Sequence, residues 1–126
     1  MNKIRQLEKI AKEIGRCGLC KKEKIGKAVP GEGNPNSKIV FVGEAPGREE
    51  AKTGRPFVGR SGKFLTQLAN SIGIKREDVF ITSPVKYLPK KGTPKTSEIN
   101  HGKTHLLRQI EIINPKLVVL LGQVAA

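Results

Sequence analysis

The chain has 126 residues, which is room for one domain with one hydrophobic core. It carries 24 Lys and Arg residues against 11 Asp and Glu, so its net charge is +13. This excess favours a polyanion as partner, nucleic acid ahead of an anionic membrane surface, although a lysine-rich surface typical of thermophilic proteins is an alternative. No apolar run is long enough to span a membrane, and residues 1–6 lack the apolar core of a signal peptide. We therefore expect a cytoplasmic protein that acts as a monomer.

The first predicted element is an amphipathic helix over residues 3–14, ended by Gly15, because apolar residues recur there at intervals of three and four. A Cys-x-x-Cys pair, Cys17 and Cys20, follows directly. A thioredoxin-like redox motif follows a strand instead, and a disulfide is disfavoured in the cytoplasm. The pair therefore indicates ligation of a metal or a cluster, with partners elsewhere in the chain. Residues 21–37 are basic and rich in turn formers, and we predict a connector.

The next stretch is a short apolar run, Ile39–Val42, followed by a segment that holds five glycines and two prolines between residues 42 and 62. The pattern predicts a buried strand and then a long loop. In an open α/β sheet, ligands bind outside the carboxyl ends of the strands, where this loop lies. It contains acids, among them Glu44 and Glu50, and the aromatic residue Phe57. An acid beside a planar ring is typical of a site for a flat ligand with polar edges, such as a nucleobase.

Further along, the pattern predicts a helix capped by Ser61, a second strand over residues 79–82, and a helix capped by Thr96 or Ser97. The run 116–121 is continuously apolar after its first residue, so we predict a third strand that is buried on both faces. Residues 123–126 resemble the opening of another helix. Helices alternating with strands indicate an α/β fold, with three αβα layers around a central parallel sheet.

A basic loop follows the second strand. Its lysines include Lys86, Lys90 and Lys91, and they stand among prolines and a glycine. We predict that these three side chains lie along a DNA backbone, which supplies affinity without reading sequence. A solvated loop is the alternative.

The glycine-rich segment resembles the first motif of the family 4 uracil-DNA glycosylases, the thermostable bacterial and archaeal type. That motif runs Gly-Glu-Ala-Pro-Gly, here residues 43–47, and continues through Gly-Arg-Pro-Phe-Val-Gly, residues 54–59, to Ser61 and Gly62. The resemblance implies a single uracil-DNA glycosylase-like domain over residues 1–126. It also implies that this domain is incomplete at its C-terminus, since the family continues with a further strand, about two helices and a His-Pro-Ser segment.

The resemblance also implies an activity, the hydrolysis of the N-glycosidic bond of uracil in DNA at the start of base excision repair. The target base would be flipped out of the duplex and stacked on Phe57, with the backbone at Glu44 and Ala45 meeting its carbonyl edge. Glu44 and Glu50 are the candidates to activate water, and Ser83 stands where the family has an Asn that reads uracil. Two alternatives are a catalytically impaired DNA-binding relic and a small-ligand α/β enzyme, the latter disfavoured by the charge.

The family holds a 4Fe–4S iron–sulfur cluster on four cysteines. This chain has two cysteines in total, and Tyr87 and Gly102 stand where the others are expected. Three alternatives stay open: the cluster is lost, it is held by mixed or external ligands, or Cys17 and Cys20 bind zinc together with His101 and His105, which lie one turn apart on the last predicted helix. The chemical step itself requires no cofactor.

Overall fold

In this computed structural model, residues 2–91 and 93–121 are described. The α-helices are α1 (Lys3–Arg16), α2 (Gly18–Lys21), α3 (Arg48–Thr53), α4 (Arg60–Ser71) and α5 (Thr96–Ile113). The strands are β1 (Lys24–Ile25), β2 (Glu32–Gly33), β3 (Ile39–Val42), β4 (Phe80–Thr82), β5 (Leu88–Pro89) and β6 (Leu117–Leu120). No helix among these residues is long and apolar enough to cross a membrane.

The central sheet has the strand order β2-β4-β3-β6. The three predicted strands are parallel: β3 pairs with β4 on one side, Val42 opposite Thr82, and with β6 on the other, Val42 opposite Leu120. A two-residue antiparallel strand, β2, extends the sheet beyond β4, and β1 pairs with β5 as a separate antiparallel ribbon. Both β1 and β2 lie in the segment predicted as a connector. The sheet is therefore mixed, with the predicted parallel arrangement at its centre.

Helices cover both faces of this sheet. Because side chains alternate along a strand, Val40 and Val42 face one side, where they pack with Leu106 and Ile113 of α5. Phe41 faces the other side and lines a small apolar cavity together with Leu65 of α4. Helix α1 packs on α5. This arrangement confirms the predicted three-layer α/β fold.

Several predicted details were wrong. The loop after β3 contains a helix, α3, and α4 begins at Arg60 with Gly59 rather than Ser61 as its N-cap. Lys95, not Thr96 or Ser97, is the N-cap of α5, and the Glu98 carboxylate accepts a hydrogen bond from its backbone N–H at 2.7 Å.

The third strand, β6, is also less buried than predicted. It lies at the edge of the sheet, and the side chains of Leu117 and Leu120 are 53% and 49% exposed. An apolar run in the sequence predicts a strand, but it does not show whether a helix packs on that strand and buries it. The helix predicted from Gln123 lies outside the described residues.

Candidate functional site

A cleft of about 840 Å³ opens at the carboxyl ends of β3 and β4. Most of its lining comes from the loop after β3 with α3, from α4, and from the residues at the end of β4, and Val29 and Leu121 complete it. The predicted ligand-binding residues Glu44, Ala45, Phe57 and Ser83 all line this cleft, as does the second predicted acid, Glu50. The structure therefore brings together residues that lie up to 39 positions apart in the sequence.

Phe57 is held in place by close backbone packing. It has a left-handed φ of 54°, and a Cβ at Gly43 would lie 2.9 Å from its ring. A Cβ at Gly62 would lie 2.4 Å from its carbonyl carbon. Only glycine at these two positions lets the strand end and α4 approach Phe57 so closely. Arg76, which the sequence did not single out, donates a hydrogen bond to the Phe57 carbonyl at 3.0 Å and another to Pro56.

The Glu50 carboxylate is bound by three backbone N–H groups. Its Oε1 accepts from Gly47 at 3.0 Å, and its Oε2 accepts from Val58 at 2.9 Å and from Gly59 at 2.7 Å. These bonds join the loop before α3 to the residues that precede α4. Both carboxylate oxygens are therefore engaged in holding the wall of the cleft, and the activation of water by Glu50 stays a prediction.

Ser83 stands at the end of β4 and is 6% exposed. Its hydroxyl donates a hydrogen bond to the Val85 carbonyl at 2.6 Å. A hydroxyl has one proton and two lone pairs, so toward a ligand in the cleft this oxygen acts as an acceptor.

Lys86 was predicted on the DNA backbone, and this prediction was wrong. The residue is 1% exposed, and its ammonium donates to Thr82 Oγ1 at 2.6 Å and to Gln109 Oε1 at 2.8 Å. Burial lowers the pKa of this amine to about 7, because the charged form loses its hydration. Lys86 therefore lies inside the protein, beside the Thr82 that lines the cleft. Lys90 and Lys91 are exposed.

A second group of functional side chains lies where α1 meets α5. Cys17 joins α1 to α2, Cys20 is in α2, and His101 and His105 lie one turn apart on α5. The ligand atoms of these four side chains all lie within 4.8 Å of one another, and the distance from Cys17 Sγ to His101 Nε2 is 3.1 Å. This is the group that the sequence suggested, and its geometry can hold a metal ion.

The electrostatics of the two thiols differ. Burial raises the pKa of Cys17, but contacts with His105, Cys20 and His101 outweigh it and bring the pKa down to about 6. Burial, together with the neighbouring Cys17, raises the pKa of Cys20 to about 12. Cys17 is therefore the more acidic thiol of the pair.

The positions expected to carry two further cysteines have other roles. Tyr87 is buried with Cys20 and Ile14, and its hydroxyl donates weakly to the Ile14 carbonyl at 3.4 Å. A Cβ at Gly102 would lie 1.8 Å from the Pro84 carbonyl oxygen, so no side chain fits there. One position earlier on α5, His101 has its Nε2 at 3.1 Å from Cys17 Sγ.

The fold and the cleft define a three-layer α/β protein with a ligand site at the carboxyl ends of its parallel strands. A sequence profile of the Uracil DNA glycosylase superfamily matches residues 30–126, and the chain belongs to this superfamily.

Curated relatives of the chain agree with this superfamily assignment. The chain is 50% identical to the Type-4 uracil-DNA glycosylase of Sulfurisphaera tokodaii, over 93% of this chain and 54% of that protein. It is 45% identical to the Type-4 uracil-DNA glycosylase of Archaeoglobus fulgidus, over 98% of this chain and 63% of that protein. It is 47% identical to the Type-4 uracil-DNA glycosylase of Thermotoga maritima, over 94% of this chain and 63% of that protein. The resemblance drawn from the glycine-rich segment is confirmed. The chain spans between 54% and 63% of the length of these relatives.

Proposed function

We propose that this chain carries the uracil-binding site of a DNA repair glycosylase, which hydrolyses the N-glycosidic bond of uracil in DNA to start base excision repair. The observation that carries this proposal is the convergence of Glu44, Ala45, Phe57 and Ser83 on one cleft. The similarity to proteins named Type-4 uracil-DNA glycosylase supplies the reaction.

The cleft suits a base that has been turned out of the duplex. Its volume, about 840 Å³, lies within the usual range for small-ligand pockets. The Phe57 ring offers a face on which the base stacks, and the backbone at Glu44 and Ala45 offers polar groups to the carbonyl edge. The first turn of α4, residues 60–62, lines the same cleft, where unpaired backbone N–H groups favour negative charge.

The reaction breaks the bond between C1′ of the sugar and N1 of uracil. The electron pair leaves with N1, positive charge develops on the sugar, and a water oxygen bonds to C1′. The residues of the cleft have two tasks, to stabilise the departing uracil anion and to accept a proton from the water. We assign the proton transfer from water to Glu44, which lines the cleft directly after β3, and the three backbone N–H groups on the Glu50 carboxylate give Glu50 a different task. Glu50 is then a positioning residue.

Ser83 contributes to the choice of base. Its hydroxyl proton is donated to Val85, so its oxygen accepts a hydrogen bond from the ligand. N3 of uracil carries a proton and can donate it to Ser83, whereas N3 of cytosine is itself an acceptor and finds no donor there, because the Ser83 proton is given to Val85. Leaving a buried polar group unpaired is costly, and this disfavours cytosine.

DNA is the proposed partner, and the net charge of +13 with exposed Lys90 and Lys91 supports it. We also propose that Cys17, Cys20, His101 and His105 hold a metal ion with a structural role. The 4Fe–4S cluster implied by the family does not fit this donor set, since four thiolates are its usual ligands and two are present. None of the four side chains lines the cleft, so we assign the ion no part in the chemical step.

The activity is tested with a labelled duplex oligonucleotide that contains a single uracil. Strand breakage after alkali, absent with thymine in place of uracil, is the expected result. Glu44→Gln should lower the rate by about 10²- to 10⁴-fold, the usual contribution of a general base. The matched control is Glu111→Gln, an exposed carboxylate on α5.

A second function is a DNA-binding relic, favoured by Ser83 in the place of the family's Asn. Salt-sensitive retention of the duplex without breakage supports the relic and contradicts the glycosylase. If Glu44→Gln leaves breakage undiminished, the proposed role of Glu44 is wrong even where the activity is real. Neither breakage nor retention would indicate a small-ligand enzyme.

A further inference from the structure

We infer that Cys17, Cys20, His101 and His105 bind a single Zn²⁺ ion, at the place where the resembled family holds an iron–sulfur cluster. The inference deepens the proposed metal centre and is independent of uracil excision. Four observations carry it: the unpaired nitrogens of His105, the distances among the four ligand atoms, the absence of room for further thiolates, and the position of the group between two helices.

His105 supplies the first observation. Both of its ring nitrogens are buried, and neither has a hydrogen-bond partner of ordinary geometry within residues 2–91 and 93–121. A buried polar atom without a partner costs about 1–3 kcal/mol, so native structures contain few of them. A metal ion bound to one of these nitrogens removes that cost, and imidazole is a common zinc ligand.

The distances support one ion. Zn–S bonds of about 2.3 Å and Zn–N bonds of about 2.0–2.1 Å place the ligand atoms of a tetrahedral site roughly 3.3–3.8 Å apart. The four ligand atoms here lie within 4.8 Å of one another, with 3.1 Å between Cys17 Sγ and His101 Nε2. Small movements of the side chains are enough to close a tetrahedron. Two thiolates with two imidazoles form one of the standard ligand sets for structural zinc.

The surroundings exclude the four-cysteine cluster. In a cubane each thiolate binds a different iron, so the thiolates stand farther apart than the ligands of one ion. The buried Tyr87 ring packs against Cys20 and occupies the place of the expected third thiolate. The backbone at Gly102 lies too close to Pro84 for any side chain, so a fourth thiolate cannot project from that position.

The position of the group gives the ion a structural task. The Cys pair ends α1, and the two histidines lie on α5, more than 80 positions later; Cys17 and His101 are 84 residues apart. An ion at this point ties the two helices together and closes a long loop of the chain. Because a preformed site rarely exists in the unfolded chain, binding energy of this kind stabilises the fold.

Metal analysis of the purified 126-residue chain is the first test. The protein is prepared without oxygen and without chelators and is assayed for zinc, iron and acid-labile sulfide. We expect one zinc ion per chain, no iron, and no uptake of a cluster when ferrous iron and sulfide are supplied. When zinc is replaced by Co²⁺, we expect the visible absorption of a tetrahedral thiolate-bound ion. Iron with sulfide, or an absence of metal after zinc has been supplied, overturns the inference.

Variants test which residues bind the ion. His105→Asn should weaken zinc binding at least tenfold, while the matched control Tyr87→Phe, which removes a polar atom beside Cys20 without removing a ligand, should keep it. If His105→Asn does not fold, His101→Cys serves instead, because a third thiolate retains the zinc and strengthens the sulfur-to-cobalt charge-transfer band. Retention of zinc by a folded His105→Asn protein, or an unchanged cobalt spectrum in His101→Cys, contradicts the assignment.

Discussion

At the scale of single residues, two charged groups around the cleft, one partly and one fully buried, make contacts that their residue type does not predict. The Glu50 carboxylate accepts a hydrogen bond from the backbone at Gly59, and the buried Lys86 amine donates one to Thr82. From residue type and sequence position alone, Glu50 was predicted to be catalytic and Lys86 to bind DNA. Each assignment can be tested by a substitution that removes the charge and keeps the size.

Glu50→Gln should destabilise the fold by ~2 kcal/mol. The amide keeps one acceptor oxygen but loses the charge, and its NH₂ group faces backbone N–H donors, so some of the three hydrogen bonds are lost. Urea unfolding measures the change. Glu49→Gln is the control, because the Glu49 side chain is 58% exposed and its ion pair with Lys52 is worth little. Equal stability of the two variants would contradict the positioning role.

Lys86→Met should remove a pH dependence of stability. The pKa of Lys86 is lowered to about 7 in the folded chain, against 10.5 ordinarily, so between these values the unfolded chain binds more protons. Stability from this group therefore rises with pH, by up to about 1.4 kcal/mol per pH unit, and the cost of burying the charge is fully present below pH 7. Met at this position should stabilise the protein most below that pH.

The measurement is the free energy of unfolding of wild type and Lys86→Met at several pH values from 6 to 9, chosen to bracket the lowered pKa. The advantage of Met should shrink as the pH rises. Lys90→Met replaces an exposed lysine and should show no such trend. A constant difference between wild type and Lys86→Met would show that the amine does not titrate in this range.

At the scale of elements, the sequence predicts what is periodic and long. The sequence predicted helices α1 and α5 because their apolar residues recur with a period of about 3.6 residues. It predicted strands β3 and β4 because they are short apolar runs. Strands β1 and β2 have two residues each and no period to detect. The cleft was foreseen because its residues follow strand ends. The burial of Lys86 was not predicted, because its hydrogen-bond partner Gln109 lies 23 residues further along the chain, on a helix.

Replacing a glycine by alanine should have opposite effects on stability in helices α5 and α1. Gly102→Ala should destabilise the protein, because a Cβ would lie 1.8 Å from the Pro84 carbonyl oxygen and α5 would have to move away from the loop after β4. Gly15→Ala, on α1, meets nothing within 4 Å and should stabilise by about 0.5–1 kcal/mol through helix propensity. Thermal unfolding of both variants distinguishes them. A Gly102→Ala protein as stable as the wild type would mean that α5 does not pack this closely on the loop after β4.

At the scale of the whole molecule, charge is the dominant property. A net charge of +13 on 126 residues attracts any polyanion from a distance, so charge alone does not identify DNA as the partner or locate its path. A path for the DNA has to be inferred from which lysines are exposed. Lys90 and Lys91 are exposed directly after β5, beside Glu23 and Lys95, whereas the buried Lys86 cannot reach a phosphate.

The salt dependence of DNA binding separates these contributions. The slope of log K against log salt should fall by about 0.9 for each phosphate contact that is lost, so Lys90→Ala with Lys91→Ala should lower it by nearly two units. Lys12→Ala is the control, since Lys12 is exposed on α1, outside the loop after β4. Binding is followed by fluorescence anisotropy of a labelled duplex over a salt series. If Lys12→Ala lowers the slope as much per charge as the double variant does, the positive charge acts diffusely, and the path of the DNA does not follow the loop after β4.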